Sequence, residues 1–185
     1  MKKKGYIFLA DGFEDIEGLT VVDLMRRAGI DIVTVSIKEE TSVITSHGIK
    51  MQTDTVFSSV DFDDADLLVL PGGKAGTQNL KAFPPLADLL KSFDAQGRRI
   101  AAICAAPTIL SDLGLLRGKQ ATSYPSCQPQ INCASYSENK VVTDGHITTS
   151  RGMGTSIDFG LALISLLLGE EKATEIADSI VYRPE

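Results

Sequence analysis

The chain has no tryptophan, only two histidines and only three cysteines, Cys104, Cys127 and Cys133. An odd number of cysteines without any C-x-x-C pair excludes a disulfide framework and suits a reducing compartment. His47 and His146 lie far apart without ligand-like neighbours, so no local motif builds a zinc site and no metal is expected. A basic block is missing as well. The formal charge is -6, which argues against nucleic acid as a partner. No apolar run approaches the ~18 residues of a membrane span, and "LALISLLLG" stops far short. The apolar run before Asp11 is too short for the core of a signal peptide. A cytoplasmic protein without a membrane partner is the expectation. G-x-G-x-x-G and the Walker loop are both absent, so no nucleotide cofactor is expected either.

What is present is a globular composition, 43% hydrophobic and 23% charged over 185 residues, read as one domain spanning 1–185. "GYIFLA" (5–10) is a short apolar run closed by Asp-Gly, a buried-strand signature. Val21, Leu24, Met25 and Ala28 repeat with helical spacing up to Gly29. Residues 30–37 are rich in β-branched side chains and read as the second strand, and the runs flanking 46–48 as a hairpin. Residues 66–70 form another buried strand running into "PGG". A helix over 84–96 and a strand over "RIAAI" follow, the strand ending at Cys104, with a helix after Pro107. A hairpin over 141–149 turns on Asp-Gly, then come a very apolar helix over 156–169 and an amphipathic one marked by Ala173, Ile176, Ala177 and Ile180. Strand and helix alternate, so the economical fold is α/β, a doubly wound, mostly parallel sheet sandwiched by helices.

Function in such sheets gathers where strands end and helices begin. Three such loops carry chemistry: "ADGFEDIE", "PGGKAGTQN" and "CAAP". Cys104 sits where a strand turns into a helix, and a helix N-terminus favours the thiolate. Small residues at 105 and 106 allow a tight turn that displays the sulfur; a buried core cysteine is the competing explanation. The "PGG" glycines suit a close backbone approach or an N–H pair facing an anion, although turn geometry alone also explains them. Glu14 is explained by its place in the first turn of a helix. Glu17 becomes a general acid/base only if it points at the sulfur. A hydrolytic Cys–His couple would need His47 or His146 to arrive from a distance.

Taken together, "LADGFEDIE", "VVDLMRRAGI", "VLPGG", "QNL", "AAICAAPTIL", "YSEN" and "TSRGMGTSIDFGLAL" resemble the ThiJ/PfpI superfamily, in the branch of the Parkinson-disease-associated deglycase and its bacterial relatives. The resemblance implies a flavodoxin-like homodimer with a reactive cysteine on a nucleophile elbow, at Cys104. It places the family's protonated glutamate at Glu17 and its anion site on the backbone N–H groups of Gly73 and Ala105. The implied partners are small aldehydes and dicarbonyls or their glycated adducts, handled as a glutathione-independent glyoxalase or deglycase without cofactor. The implied alternative is an oxidative-stress sensor or redox-regulated chaperone working through oxidation of Cys104. One departure stands out: where the deglycase pattern has histidine before a proline, this chain has Tyr124, a poor base near neutral pH. His47 stands where the family carries an arginine, and it could approach Cys104 across a dimer interface. Cys127 and Cys133 are read as ordinary thiols, with resolution of an oxidised Cys104 as the minor alternative.

Overall fold

The computed structural model describes residues 2–183. In chain order the elements are β1 (Lys4–Leu9), α1 (Asp15–Arg27), β2 (Asp31–Ser36), β3 (Ser42–Ile44), β4 (Lys50–Gln52), β5 (Thr55–Val56), β6 (Leu67–Leu70) and α2 (Lys74–Lys81). They continue with α3 (Pro84–Ala95), β7 (Arg99–Ile103), α4 (Pro107–Asp112), β8 (Gln120–Ala121), β9 (Ser135–Tyr136), β10 (Val141–Asp144), β11 (Ile147–Ser150), α5 (Ser156–Leu168) and α6 (Glu170–Ser179). Seven strands form the main sheet in the order β10-β11-β7-β6-β1-β2-β5. All its neighbours pair in parallel except β10 with β11. The doubly wound α/β architecture expected from the alternation, and the flavodoxin-like form implied by the resemblance, are therefore the ones observed.

The central strands read as continuous apolar runs because both their faces are buried. Tyr6 and Phe8 of β1 point, with Leu68, Leu70, Ile100 and Ala102, toward one side, where α3 adds Leu86, Leu90 and Phe93. Ile7 and Leu9 point the other way with Val69, Ala101 and Ile103, against Leu24 and Met25 of α1 and Phe159 and Leu163 of α5. From β1 the chain moves outward to β2, then returns to lay β6 on the opposite flank of β1. The strand order reverses there, and the C-terminal ends of β1, β6 and β7 lie side by side at that switch point.

Most elements fall where the sequence puts them, the hairpin of β3 and β4 around residues 46–48 included. The stretch after "PGG" differs. It is a helix, α2, rather than a loop; only Gly76, Thr77 and Leu80 are buried in it, too few large apolar residues to write a stripe. The paired dipeptides β5, β8 and β9 carry no detectable period. Among the described residues no helix is long and apolar enough to cross a membrane.

The ring of Phe159 is fully buried between sheet and helix, whereas Leu168 on the same helix is 39% exposed. Phe159→Ala is expected to lower the urea-unfolding free energy by about 3–5 kcal/mol. Leu168→Ala should cost under about 1 kcal/mol. Equal costs would contradict the assignment of the core.

Candidate active site

The loops after β1 and β6 interlock through glycine. Glu14 donates its N–H to the Gly72 carbonyl (2.9 Å), and Gly76 donates to the Gly12 carbonyl (3.0 Å). Gly73 has φ 90°, and a Cβ there would lie 2.6 Å from the Glu14 nitrogen, so only glycine fits. A Cβ on Gly72 would overlap the Glu17 carboxylate and stand 2.6 Å from Cys104 Cβ. That missing side chain lets the α1 carboxylate reach the β7 thiol.

Cys104 closes β7. Its N–H continues the ladder to the Ser150 carbonyl (3.0 Å), and its own carbonyl accepts from Tyr124 N–H (2.7 Å). Between these two bonds the residue takes φ 66°, left-handed backbone that side chains other than glycine rarely adopt. Such a conformation costs on the order of 1–2 kcal/mol. It turns the chain sharply, and Pro107 then starts α4 with its fixed φ. The sulfur is held by the Glu17 carboxyl and by the N–H groups of Gly73 and Ala105.

Glu17 is 1% exposed, on the first turn of α1, which Glu14 caps by accepting the Glu17 N–H (2.8 Å). Its carboxylate accepts from Gly72 N–H (3.0 Å). Burial raises its pKa from 4.5 to about 7, helped by the Glu14 charge and opposed by hydrogen bonds with Cys104, Gly72 and Met153. Burial and an ionised Glu17 likewise push the Cys104 thiol up to about 12, against the pull of the Gly73 and Ala105 N–H groups. The thiolate-favouring helix terminus expected from sequence is therefore outweighed: α4 is only six residues long, and the desolvation of the sulfur dominates. The two acids share protons. A proton on Glu17 removes the charge that disfavours the thiolate and turns the carboxyl into a hydrogen-bond donor toward sulfur.

Cys104 and Ala105 open onto a pocket of about 510 Å³, walled by Thr108, Tyr124 and the α2 residues Lys74 and Gln78. Tyr124 is 48% exposed and forms part of the wall. His47 lies elsewhere in the chain's bonding. Its Nδ1 meets Asp15 at 2.7 Å, and Ser46 donates to the same oxygen at 3.0 Å. The Asp15 hydrogen bond raises the His47 pKa; burial would raise that of Asp15, but hydrogen bonds from Thr45, His47 and Ser46 hold it at about 2. This pair was invisible in the sequence, as was His146 bonded to Asp94 at 2.7 Å. Among the described residues Glu14, Asp15 and His47 alone bring potential metal-ligand atoms together, within 4.8 Å. Glu14 already caps α1 and Asp15 already binds His47.

The sequence matches the DJ-1/PfpI family over residues 3–166, and the chain belongs to that family. Protein DJ-1 homolog B of Arabidopsis thaliana is 42% identical over 184 residues, 98% of this chain but 42% of that protein. The chain thus spans under half the length of that plant relative. Protein dj-1beta of Drosophila melanogaster is 40% identical over 183 residues, 98% of each chain. Among solved structures, that of oxidized Toxoplasma gondii DJ-1 superposes with a TM-score of 0.95 at 34% identity, covering 98% of this chain and all (100%) of that one.

The raised Glu17 pKa makes stability depend on pH. Between 4.5 and about 7 the folded carboxyl keeps a proton that the unfolded one releases. The resulting stability is complete below 4.5 and is lost as pH rises through about 7. Relative to Glu17→Gln, the wild type should lose about 3 kcal/mol between pH ~5 and ~8 in urea unfolding. A gap that does not change with pH would contradict the burial assigned to this carboxyl.

Proposed function

We propose that this chain is a cysteine-dependent catalyst acting on small α-oxoaldehydes and on their early adducts, without glutathione or a bound cofactor. The observation that carries the proposal is the Cys104 sulfur on its strained turn, touched by a buried carboxyl and two N–H groups at the mouth of a pocket. With methylglyoxal, the thiolate adds to the aldehyde carbon, and the carbonyl oxygen takes the proton held by Glu17 to give a hemithioacetal. Glu17 then removes the proton from that carbon and returns it to the neighbouring one, while the hydroxyl proton passes from the first oxygen to the second, leaving a lactoyl thioester. Water cleaves the thioester to lactate and restores the thiol. The Gly73 and Ala105 N–H groups carry the oxygen charge that builds up beside the sulfur. Tyr124 supplies a wall and no base, so the water step relies on Glu17 and turnover is slow.

The same three donors around the sulfur suit a second role, holding a sulfinate on an oxidised Cys104, as in a stress sensor or redox-regulated chaperone. A relative of known structure is described as oxidized. All three cysteines are free, which supports a reducing compartment such as the cytoplasm. The proposed active form is a homodimer. Ile16 (47% exposed), Leu19, Ile44 and Ile49 present apolar surface on α1 and on the hairpin beside the Asp15–His47 pair.

Purified protein should convert methylglyoxal to lactate, with no turnover in Cys104→Ser and a loss of at least ~100-fold in Glu17→Gln. Turnover that survives Cys104→Ser would sink the proposal; none in either protein would favour the sensor. Sedimentation should give a dimer that Ile16→Glu weakens. A monomeric wild type would remove the interface.

A further inference from the structure

We infer that Cys127 is the resolving thiol for Cys104, so that hydroperoxides drive the pair to an intramolecular disulfide. The inference rests on the reactive Cys104 proposed above.

Both residues line the same pocket of about 510 Å³. They are also joined by a short hydrogen-bonded path. Tyr124 donates its N–H to the Cys104 carbonyl (2.7 Å), and its own carbonyl accepts from Cys127 N–H (2.8 Å). Cys127 lies in a 3-10 turn, Pro125–Gln130, that contains no buried residue. A turn so lightly packed moves at little cost. Joining the two sulfurs requires the turn to swing about the Tyr124 attachment, against the Ser111 hydroxyl bonded to the Gln130 carbonyl (2.8 Å), until the two Cα atoms are within the ~7 Å a disulfide needs. Burial raises the Cys127 pKa, and the Ser126 hydroxyl bonded to its sulfur and the Lys81 ammonium on α2 work against that rise. Cys133 has neither feature: it packs against the core and is hydrogen-bonded by backbone N–H groups near β8 and β9.

The chemistry balances. The Cys104 thiolate attacks a hydroperoxide, forming the S–O bond as the O–O bond breaks, and the released alkoxide leaves as the alcohol after taking a proton. The Cys127 thiolate then attacks the sulfenic sulfur; S–S forms, S–O breaks, and hydroxide departs as water with a proton from Glu17. A dithiol reductant returns both thiols and becomes a disulfide itself. The consequence is a thiol-dependent hydroperoxide reductase cycle on the same sulfur, stopping short of the sulfinate.

The test treats the purified protein with one equivalent of hydrogen peroxide, followed by intact mass and non-reducing peptide mapping. Loss of two hydrogens, with the Cys104 and Cys127 peptides joined, is the expected result. Cys133→Ser should behave like wild type. Cys127→Ser should instead add oxygen at Cys104 and lose dithiol-coupled peroxide consumption. Sulfinate on Cys104 at the same rate in wild type and Cys127→Ser would overturn the resolving role while leaving Cys104 reactive. Pairing with Cys133, or between two copies, would overturn it too. A Cys104 that does not react with peroxide at all would overturn both this inference and the reactivity beneath it.

Discussion

Gly72 has no side chain, and the site is built around that gap. A carboxylate from α1 and a thiol from the end of β7 both press against this residue, and a Cβ there would collide with each. The parallel pairing of β6 with β1 and β7 brings the three strand ends together. The glycines of the β6 loop then decide how closely they meet. Two buried acids held that near each other share protons rather than ionise independently, because a second negative charge in a dry site is costly.

The left-handed turn at Cys104 follows from the same packing. The residue is held by the sheet through the Ser150 carbonyl on one side and by Tyr124 on the other, so the strain is distributed over bonds the fold makes anyway. The turn lifts the sulfur above the strand end toward the pocket, where Gly73 and Ala105 present their N–H groups. Strain, desolvation and a shared proton thus meet on one atom, a combination with little to recommend it for stability and much for reactivity.

Much of this was legible in the sequence. The strands announced themselves because β1, β6 and β7 are buried on both faces and therefore apolar throughout. Cys104 and "PGG" stood out because they sit at strand ends, and Glu17 as a carboxylate three residues beyond Glu14. Helix α2 was hidden: its few buried positions include a glycine and a threonine, and it touches its neighbours through backbone. The Asp15–His47 pair spans 32 positions and exists only because the hairpin folds back over α1. The protonation of Cys104 is not legible in the sequence, since a helix terminus can be read locally whereas burial cannot. The placing of Cys127 on the same pocket wall as Cys104 was hidden for the same reason.

Catalysis as described needs the proton of the pair to rest on Glu17 and the charge on Cys104. The direct measurement is the thiolate absorbance of wild type against Cys104→Ser as pH is raised. The account predicts a thiolate signal already present near neutral pH, while Glu17 still holds its proton, and missing from Cys104→Ser. A signal that emerges only in strongly alkaline solution would put the shared proton on sulfur and leave the site without its nucleophile.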